Sequence, residues 1–446
     1  MKKRVKEETI IFLGVVKWIV LAAIVGIITG LSTTLYIKAL NAAIGIKGYS
    51  DYYFLLLPLG LLVGAILIKY LAPEEKTSGA NLAIEAVNRH SGRIRFILVP
   101  IEFIGTILTI AFGGSGGKEG PSVQIGAGLA AFFTGLLGLD DHDRKKLVVC
   151  GMCGGFASVF GAPMTGALYG VEVLAIGSIM YDVLLPAFVT SIVSYHVSSH
   201  FGITYFYHPI KIVPAFSNMF FLKVLAAGVF FGVCSFAYIE GLHLAKKLCA
   251  KIKFLMIIKS LIAGSVLVVL ALVFSTRPLG LGLDVMESAI EGGAVSWYDP
   301  ILKIIHTGIT LGFGGLGGKV TPMVFVGATS GSVFGSFMGV DPSMFAAIGF
   351  VSLLAGASNT PIAASVMAVE LFGAEVASYA AIACVVSFMI TGHRSVYPSQ
   401  ILAIKKSSSF KMELGRELEG TSPEYVYREK SLIGVLSRLL KAVKGR

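Results

Sequence analysis

Charged residues are widely spaced along this chain, and long apolar runs fill the gaps between them. Ile10 to Ile37 contains a single charged residue, Lys17, while Tyr53–Ile68 and Val376–Ile390 contain none. A helix rises about 1.5 Å per residue, so about 20 apolar residues cross the hydrocarbon core of a bilayer. The first run exceeds that length and the others approach it. Roughly a dozen or more such segments are expected, several of them short or interrupted by glycine, as in transporters whose helices break at mid-membrane. The predicted fold class is all-α: a polytopic membrane protein with broken helices. The N-terminal apolar run is longer than the ~7–15-residue core of a secretory signal, and no small-residue cleavage site follows it, so it reads as a membrane helix.

Composition agrees. Of 446 residues, 55% are hydrophobic and 14% charged, against about 25% charged in soluble domains. The mean hydropathy is +0.81. So little charge cannot coat a globule, and much of the surface must face lipid. The net charge of +11 gathers in clusters: Lys2, Lys3, Arg4 and Lys6; Arg89, Arg93 and Arg95; Arg144, Lys145 and Lys146; Lys246 to Lys259; and the tail after Ile404. The positive-inside rule makes these the cytoplasmic loops and places both termini in the cytoplasm of a multi-pass cell-membrane protein, in contact with anionic lipid. No basic patch sits on a soluble module, so nucleic acid is not an expected partner. Cys150 and Cys153 form a C-x-x-C with no second pair, in an apolar, glycine-rich run; the five cysteines read as packing residues. No cofactor or metal is expected. No Ser/His/Asp or paired-carboxylate pattern points to an enzyme.

The most informative feature is an internal repeat. Residues 113–127 read GGSGGKEGPSVQIGA, and residues 314–328 read GGLGGKVTPMVFVGA. GAPMTGALYGVEV at 161–173 matches NTPIAASVMAVEL at 359–371, setting Pro163 on Pro361 and Glu172 on Glu370. The chain divides into a first membrane repeat at 1–208, a second at 209–404 and a basic cytoplasmic tail at 405–446. A glycine cluster followed by proline breaks one helix and starts another, because proline needs no N–H partner in a first turn. Each motif then aims free backbone N–H groups and a positive helix end at one point, which is the chemistry of an anion site. With 53 glycines in the chain, any single one is a packing residue by default; the duplicated pattern is what carries function.

The two copies differ where chemistry is expected, with Glu119 in the first and Val320 in the second. Ionised, Glu119 can occupy the N–H cradle as a tethered anion; protonated or displaced, it swings away. It reads as a gate and proton carrier, against the plainer reading of an ion pair with Lys118. Glu172 and Glu370 read as capping or helix-packing residues. Glu102, in the apolar run VPIEFIG, is either paired with a basic residue or part of a proton path.

These residues resemble the CLC family of chloride channels and proton-coupled chloride antiporters. GKEGP (117–121), GAPMTGALYGVEV, GKVTP (318–322) and GHRSVYPSQ (392–400) carry the resemblance, over roughly residues 50–405. It implies inverted-topology halves and a homodimer with one pore per subunit. By position, Glu119 is similar to the gating glutamate. The amides near Gly120 and those of Lys319 and Val320 are similar to the anion cradle, and Tyr397 to the tyrosine closing the inner side of the central site. Ser78 in TSGAN resembles the serine of the family's GSGIP motif, of which only Ser-Gly survives here. Val320-Thr321-Pro322 is similar to the triplet of the fluoride-transporting branch, which makes Thr321 a candidate selectivity residue. Lys319, however, stands where that branch usually has an acid, and GKEGP is the form common among chloride carriers. Val173 occupies the place of the antiporters' inner proton glutamate, and Glu102 a place that is basic in other members. No cytosolic nucleotide-binding domain is expected, and SLIGVLSRLLKAVKGR at the C-terminus reads as an amphipathic segment lying on the inner leaflet. The expected function is transport of chloride in exchange for protons through Glu119. The alternatives are a passive chloride channel and a fluoride/proton antiporter.

Overall fold

A computed structural model describes residues 2–75, 77–210, 213–419 and 424–425; the amphipathic segment at 431–446 lies outside the described residues. Sixteen α-helices form the described part, eight in each half. The first eight are α1 (Lys2–Ile44), α2 (Leu57–Leu71), α3 (Ala80–Arg89), α4 (Leu98–Ala111), α5 (Glu119–Leu136), α6 (Asp141–Phe160), α7 (Pro163–Glu172) and α8 (Leu184–His200). The second eight are α9 (Asn218–Lys251), α10 (Met256–Val273), α11 (Leu283–Ile290), α12 (Asp299–Gly312), α13 (Val320–Phe337), α14 (Pro342–Ser358), α15 (Pro361–Phe372) and α16 (Ala377–Thr391). Six helices among the described residues are long and apolar enough to cross a membrane. Others are too short to cross alone: α7 has 10 residues and α15 has 12.

The repeat seen in the sequence recurs in the way each helix begins and ends. Asp140 and Asp341 cap α6 and α14 by accepting the amides of Asp143 and Ser343, which satisfies donors left free in the first turn. The same two helices end on Gly161 and Asn359 with φ of +73° and +58°; this left-handed cap suits residues of these two types. Pro163 and Pro361 then open α7 and α15.

The relation between the halves is fixed where α7 meets α15. Glu172, at the end of α7, accepts the amides of Ile362 (3.1 Å) and Ala363 (2.8 Å) at the start of α15. Glu370, near the end of α15, accepts the amides of Met164 (2.9 Å) and Thr165 (2.8 Å) at the start of α7. Each helix caps the other, so they lie antiparallel about a pseudo-two-fold perpendicular to them. For helices crossing a bilayer such an axis lies in the membrane plane, and the two halves are inverted. Both glutamates are caps, acting between repeats.

Two of the basic clusters, Arg89–Arg95 and Arg144–Lys146, lie together, joined through Asp141. Arg95 pairs with Glu74 (3.4 Å), Arg93 with Asp141 (3.3 Å), Lys146 with Asp182 (3.0 Å) and Arg394 with Glu240 (3.0 Å), while Arg89 forks onto Glu417. The segment after α16 is sewn back onto the helices beside them, with Glu417 on Arg89. Ile401–Leu402 pairs in parallel with Ala175–Ile176, and the buried Lys406 amine donates to Asn359 Oδ1 (2.7 Å) and the Phe388 carbonyl (2.6 Å). Beyond the C-terminal end of α1 a depression of about 680 Å³ is lined by Lys47, Tyr53, Arg277, Gly282 and Asp284. A smaller one beside it reaches Ile110 at the end of α4.

Candidate functional site

The helices α4 and α12 both stop short, and the glycine motifs follow. Gly113 and Gly314 turn the chain at φ of +97° and +106°, a region closed to most side chains. Each motif then binds the other's preceding helix: the Ser115 amide donates to Thr310 Oγ1 (3.1 Å) and the Leu316 amide to Thr109 Oγ1 (3.2 Å). On the pseudo-two-fold itself, Gly117 and Gly318 exchange two backbone hydrogen bonds of 2.8 and 2.7 Å. These repeat-equivalent glycines pair with each other, so α5 and α13 start from one buried point and leave it in opposite directions. Their positive ends converge there.

Glu119, the first residue of α5, is buried. Its Oε2 accepts the Thr321 amide at 3.1 Å and the Thr321 hydroxyl. The acid of one repeat thus sits on the N-terminus of the other repeat's helix, and the same hydroxyl lies 3.4 Å from the Lys118 amide. Among the described residues Glu119 forms no ion pair with Lys118, which removes the plainer reading of that carboxylate.

Three buried phenols surround this point, all close enough to feel the Glu119 charge: Tyr397, Tyr169 and Tyr238. Tyr169, stacked on Phe156, donates its hydroxyl to that of Tyr397 at 2.8 Å, which leaves the Tyr397 proton to be donated elsewhere. Tyr238 donates to the Lys319 carbonyl at 2.7 Å. The Lys319 amine turns away from the helix start to the Val396 carbonyl (2.7 Å) and lies over the Tyr397 ring.

Of the residues singled out in the sequence, Glu119, Gly120, Lys319, Val320, Thr321 and Tyr397 come together here. The donors that Glu119 engages are those of Thr321, the residue after Val320. Gly120 is pressed so close to Gly318 that a side chain on Gly120 would lie 2.8 Å from its Cα. Ser78 is exposed; its neighbour Gly79 packs beside the Gly120 backbone. Glu102 is buried, and among the described residues no cation pairs with it. The sequence reading missed Tyr169, Tyr238 and the Thr109/Thr310 pair. The threonines were within reach, since they hold the same 201-residue register as the motifs, whereas Met367 faces Tyr169 in the repeat and breaks the signal.

Inverted repeats, two broken helices meeting at a buried point, and an acid held there by amide and hydroxyl donors define a membrane transport protein for small anions. The chain belongs to the voltage-gated chloride channel, or CLC, family, whose sequence model matches residues 59–392. It is 35% identical to the chloride/fluoride channel protein of Pseudomonas syringae pv. tomato, over 90% of this chain and 89% of the relative. It is 24% identical to the H(+)/Cl(-) exchange transporter ClcA of Yersinia pestis, over 79% of this chain and 80% of that one. Among solved structures, a CLC-type fluoride/proton antiporter superposes with a TM-score of 0.82 at 27% identity, over 86% of this chain and 98% of that one. A slow cyanobacterial Cl-/H+ antiporter, at TM-score 0.72 and 20% identity over 84% of this chain and 94% of that one, shares the fold. The function is CLC-type transmembrane anion transport.

Proposed function

We propose that the chain exchanges a small halide for protons, with Glu119 as both gate and proton carrier. The observation that carries this is the Glu119 carboxylate lying on the Thr321 amide and hydroxyl at the start of α13. An anion needs the same donors, so anion and carboxylate compete for them; protonation weakens the carboxylate's claim and frees the place. Anion occupancy and proton uptake are thereby tied to one side chain. Tyr397, with a phenol proton to donate, bounds the site on one side, and Gly120, Lys319 and Val320 supply the surrounding backbone.

Between chloride, which GKEGP favours, and fluoride, the Thr321 geometry favours fluoride. Fluoride concentrates its charge in a smaller radius, sheds its water at greater cost, and is compensated best by strong, short donors such as an amide and a hydroxyl acting together. The likeness to a chloride/fluoride channel protein and to a fluoride/proton antiporter supports the same choice. The basic face is the cytoplasmic one, with both termini there. The protein works in the cell membrane as a homodimer in contact with lipid, one pathway per subunit, with Ser78 at its cytoplasmic mouth. The depression lined by Lys47 and Arg277 opens on the other side.

Purified protein in liposomes tests this. A fluoride gradient should drive protons uphill, with chloride a weaker driver, and Glu119→Gln should abolish that uphill movement. A wild-type protein that dissipates a fluoride or chloride gradient without moving protons is a channel, and the exchange reading then fails.

A further inference from the structure

A buried phenol beside the site carries a hydroxyl that packing does not require. Tyr169, in α7, is fully buried and lies flat on Phe156 of α6, with ring centroids 4.1 Å apart. Its repeat-related position in α15 is Met367, equally buried, so an apolar side chain fills this place in the fold. A hydroxyl there is costly unless it is bonded. Buried side-chain donors mostly find a backbone carbonyl, as Tyr238 does on Lys319. Tyr169 instead donates to another side chain, the Tyr397 hydroxyl, at 2.8 Å.

The Tyr397 ring is already held in place. The Tyr397 amide donates to Ser395 Oγ at 2.9 Å. Just before it, the Val396 amide donates to the Ala357 carbonyl (2.9 Å), and the Val396 carbonyl accepts the Lys319 amine (2.7 Å). The Lys319 ammonium lies 5.9 Å from the ring centroid. These contacts fix the phenol oxygen and leave the direction of its proton open, because a hydroxyl turns about its C–O bond. Tyr169 removes that freedom, since an oxygen that accepts a proton on one side sends its own proton to another. Hydrogen bonds in series also polarise one another, so the phenol that accepts becomes the stronger donor.

We propose that Tyr169 is a positioning residue for the transported anion: through its bond to the Tyr397 hydroxyl it aims and strengthens the O–H that Tyr397 offers the ion. This rests on Tyr397 bounding the anion site, as proposed above. Tyr169 acts through Tyr397 and does not itself touch the ion. The second repeat, with Met367 in the same place, cannot form such a pair, so the device belongs to one half of the molecule.

Halide binding and flux test it. Wild type, Tyr169→Phe, Tyr397→Phe and the double variant, each with a monodisperse elution profile, are titrated with fluoride and with chloride by calorimetry. Their KM and maximal flux are measured in liposomes. Tyr169→Phe keeps the ring on Phe156 and removes the hydroxyl alone. It should weaken binding and raise KM about three- to tenfold, with the maximal flux within about twofold of wild type. Tyr397→Phe should weaken binding about tenfold or more, and adding Tyr169→Phe to it should change nothing further. Wild-type binding in Tyr169→Phe beside weakened binding in Tyr397→Phe overturns the inference and leaves Tyr397 at the site. An equal loss from Tyr169→Phe in both backgrounds also overturns it, because Tyr169 then acts without Tyr397. If Tyr397→Phe binds as wild type does, the reading of Tyr397 itself fails, and this inference with it. Should Tyr169→Phe not fold, Tyr169→Met, which copies the second repeat, takes its place in the same comparison.

Discussion

At Thr321 a single residue offers two donors to one oxygen of Glu119. A hydrogen bond to a charged group contributes about 1.5–3 kcal/mol, enough for the hydroxyl alone to weigh in the competition between carboxylate and anion. Thr321→Val keeps the size and the amide and removes the hydroxyl. The fluoride-to-chloride flux ratio should fall about tenfold, equivalent to about 1.4 kcal/mol, while Thr321→Ser should retain it. Equal ratios in wild type and Thr321→Val would remove Thr321 from selectivity. Part of this was legible from the Val-Thr-Pro triplet. That the hydroxyl faces the acid of the other repeat was not, because the two residues are 202 positions apart.

Between elements, the decisive contact is glycine on glycine. A Cβ on Gly318 would lie 2.7 Å from the Gly120 nitrogen and 3.0 Å from the Gly117 carbonyl oxygen, all backbone that cannot step aside. Gly318→Ala should therefore force the motifs apart, cost about 1–3 kcal/mol of stability through overpacking, and abolish anion flux. Gly135, within α5, has nothing within 4 Å of where its Cβ would be. Gly135→Ala should be neutral or add about 0.5–1 kcal/mol through helix propensity. Thermal midpoints in detergent and liposome flux of the two variants make the comparison. Matching losses in both would mean that close approach is not what these glycines provide. The motif itself was plain in the sequence, since glycine and proline act on their own backbone. Which glycines touch across the two-fold depends on how whole helices are placed.

For the molecule as a whole, the pseudo-two-fold makes a quantitative statement. Glu172 and Glu370 do the same work at opposite ends of the α7–α15 pair, about 15 Å apart for helices of this length. Each neutralising change, Glu172→Gln or Glu370→Gln, should remove a charged cap worth about 1–2 kcal/mol. Sites so far apart should add, so the double variant should lose roughly twice the single loss in chemical-denaturation or thermal-shift measurements. A double variant no worse than either single one would show that the caps act as one unit. Glu172 and Glu370 are legible in the sequence as capping or packing residues; that each caps the other repeat is not, because the partner amides lie 190 or more positions away.

The sequence by itself determined the class of fold, the duplication, the broken helices and the identity of the gate candidate. Apolar run length, glycine and proline are read locally, and a repeat is visible wherever register persists. The tertiary structure alone decided that the halves are inverted, that Glu119 crosses to Thr321, and that among the described residues neither Lys118 nor Glu102 forms an ion pair. It also gathered Tyr169, Tyr238 and Tyr397 around one point. Those outcomes depend on which helix ends meet in a medium that offers buried polar groups no water, so each group's partner is set by the packing of the whole and not by its neighbours in the chain.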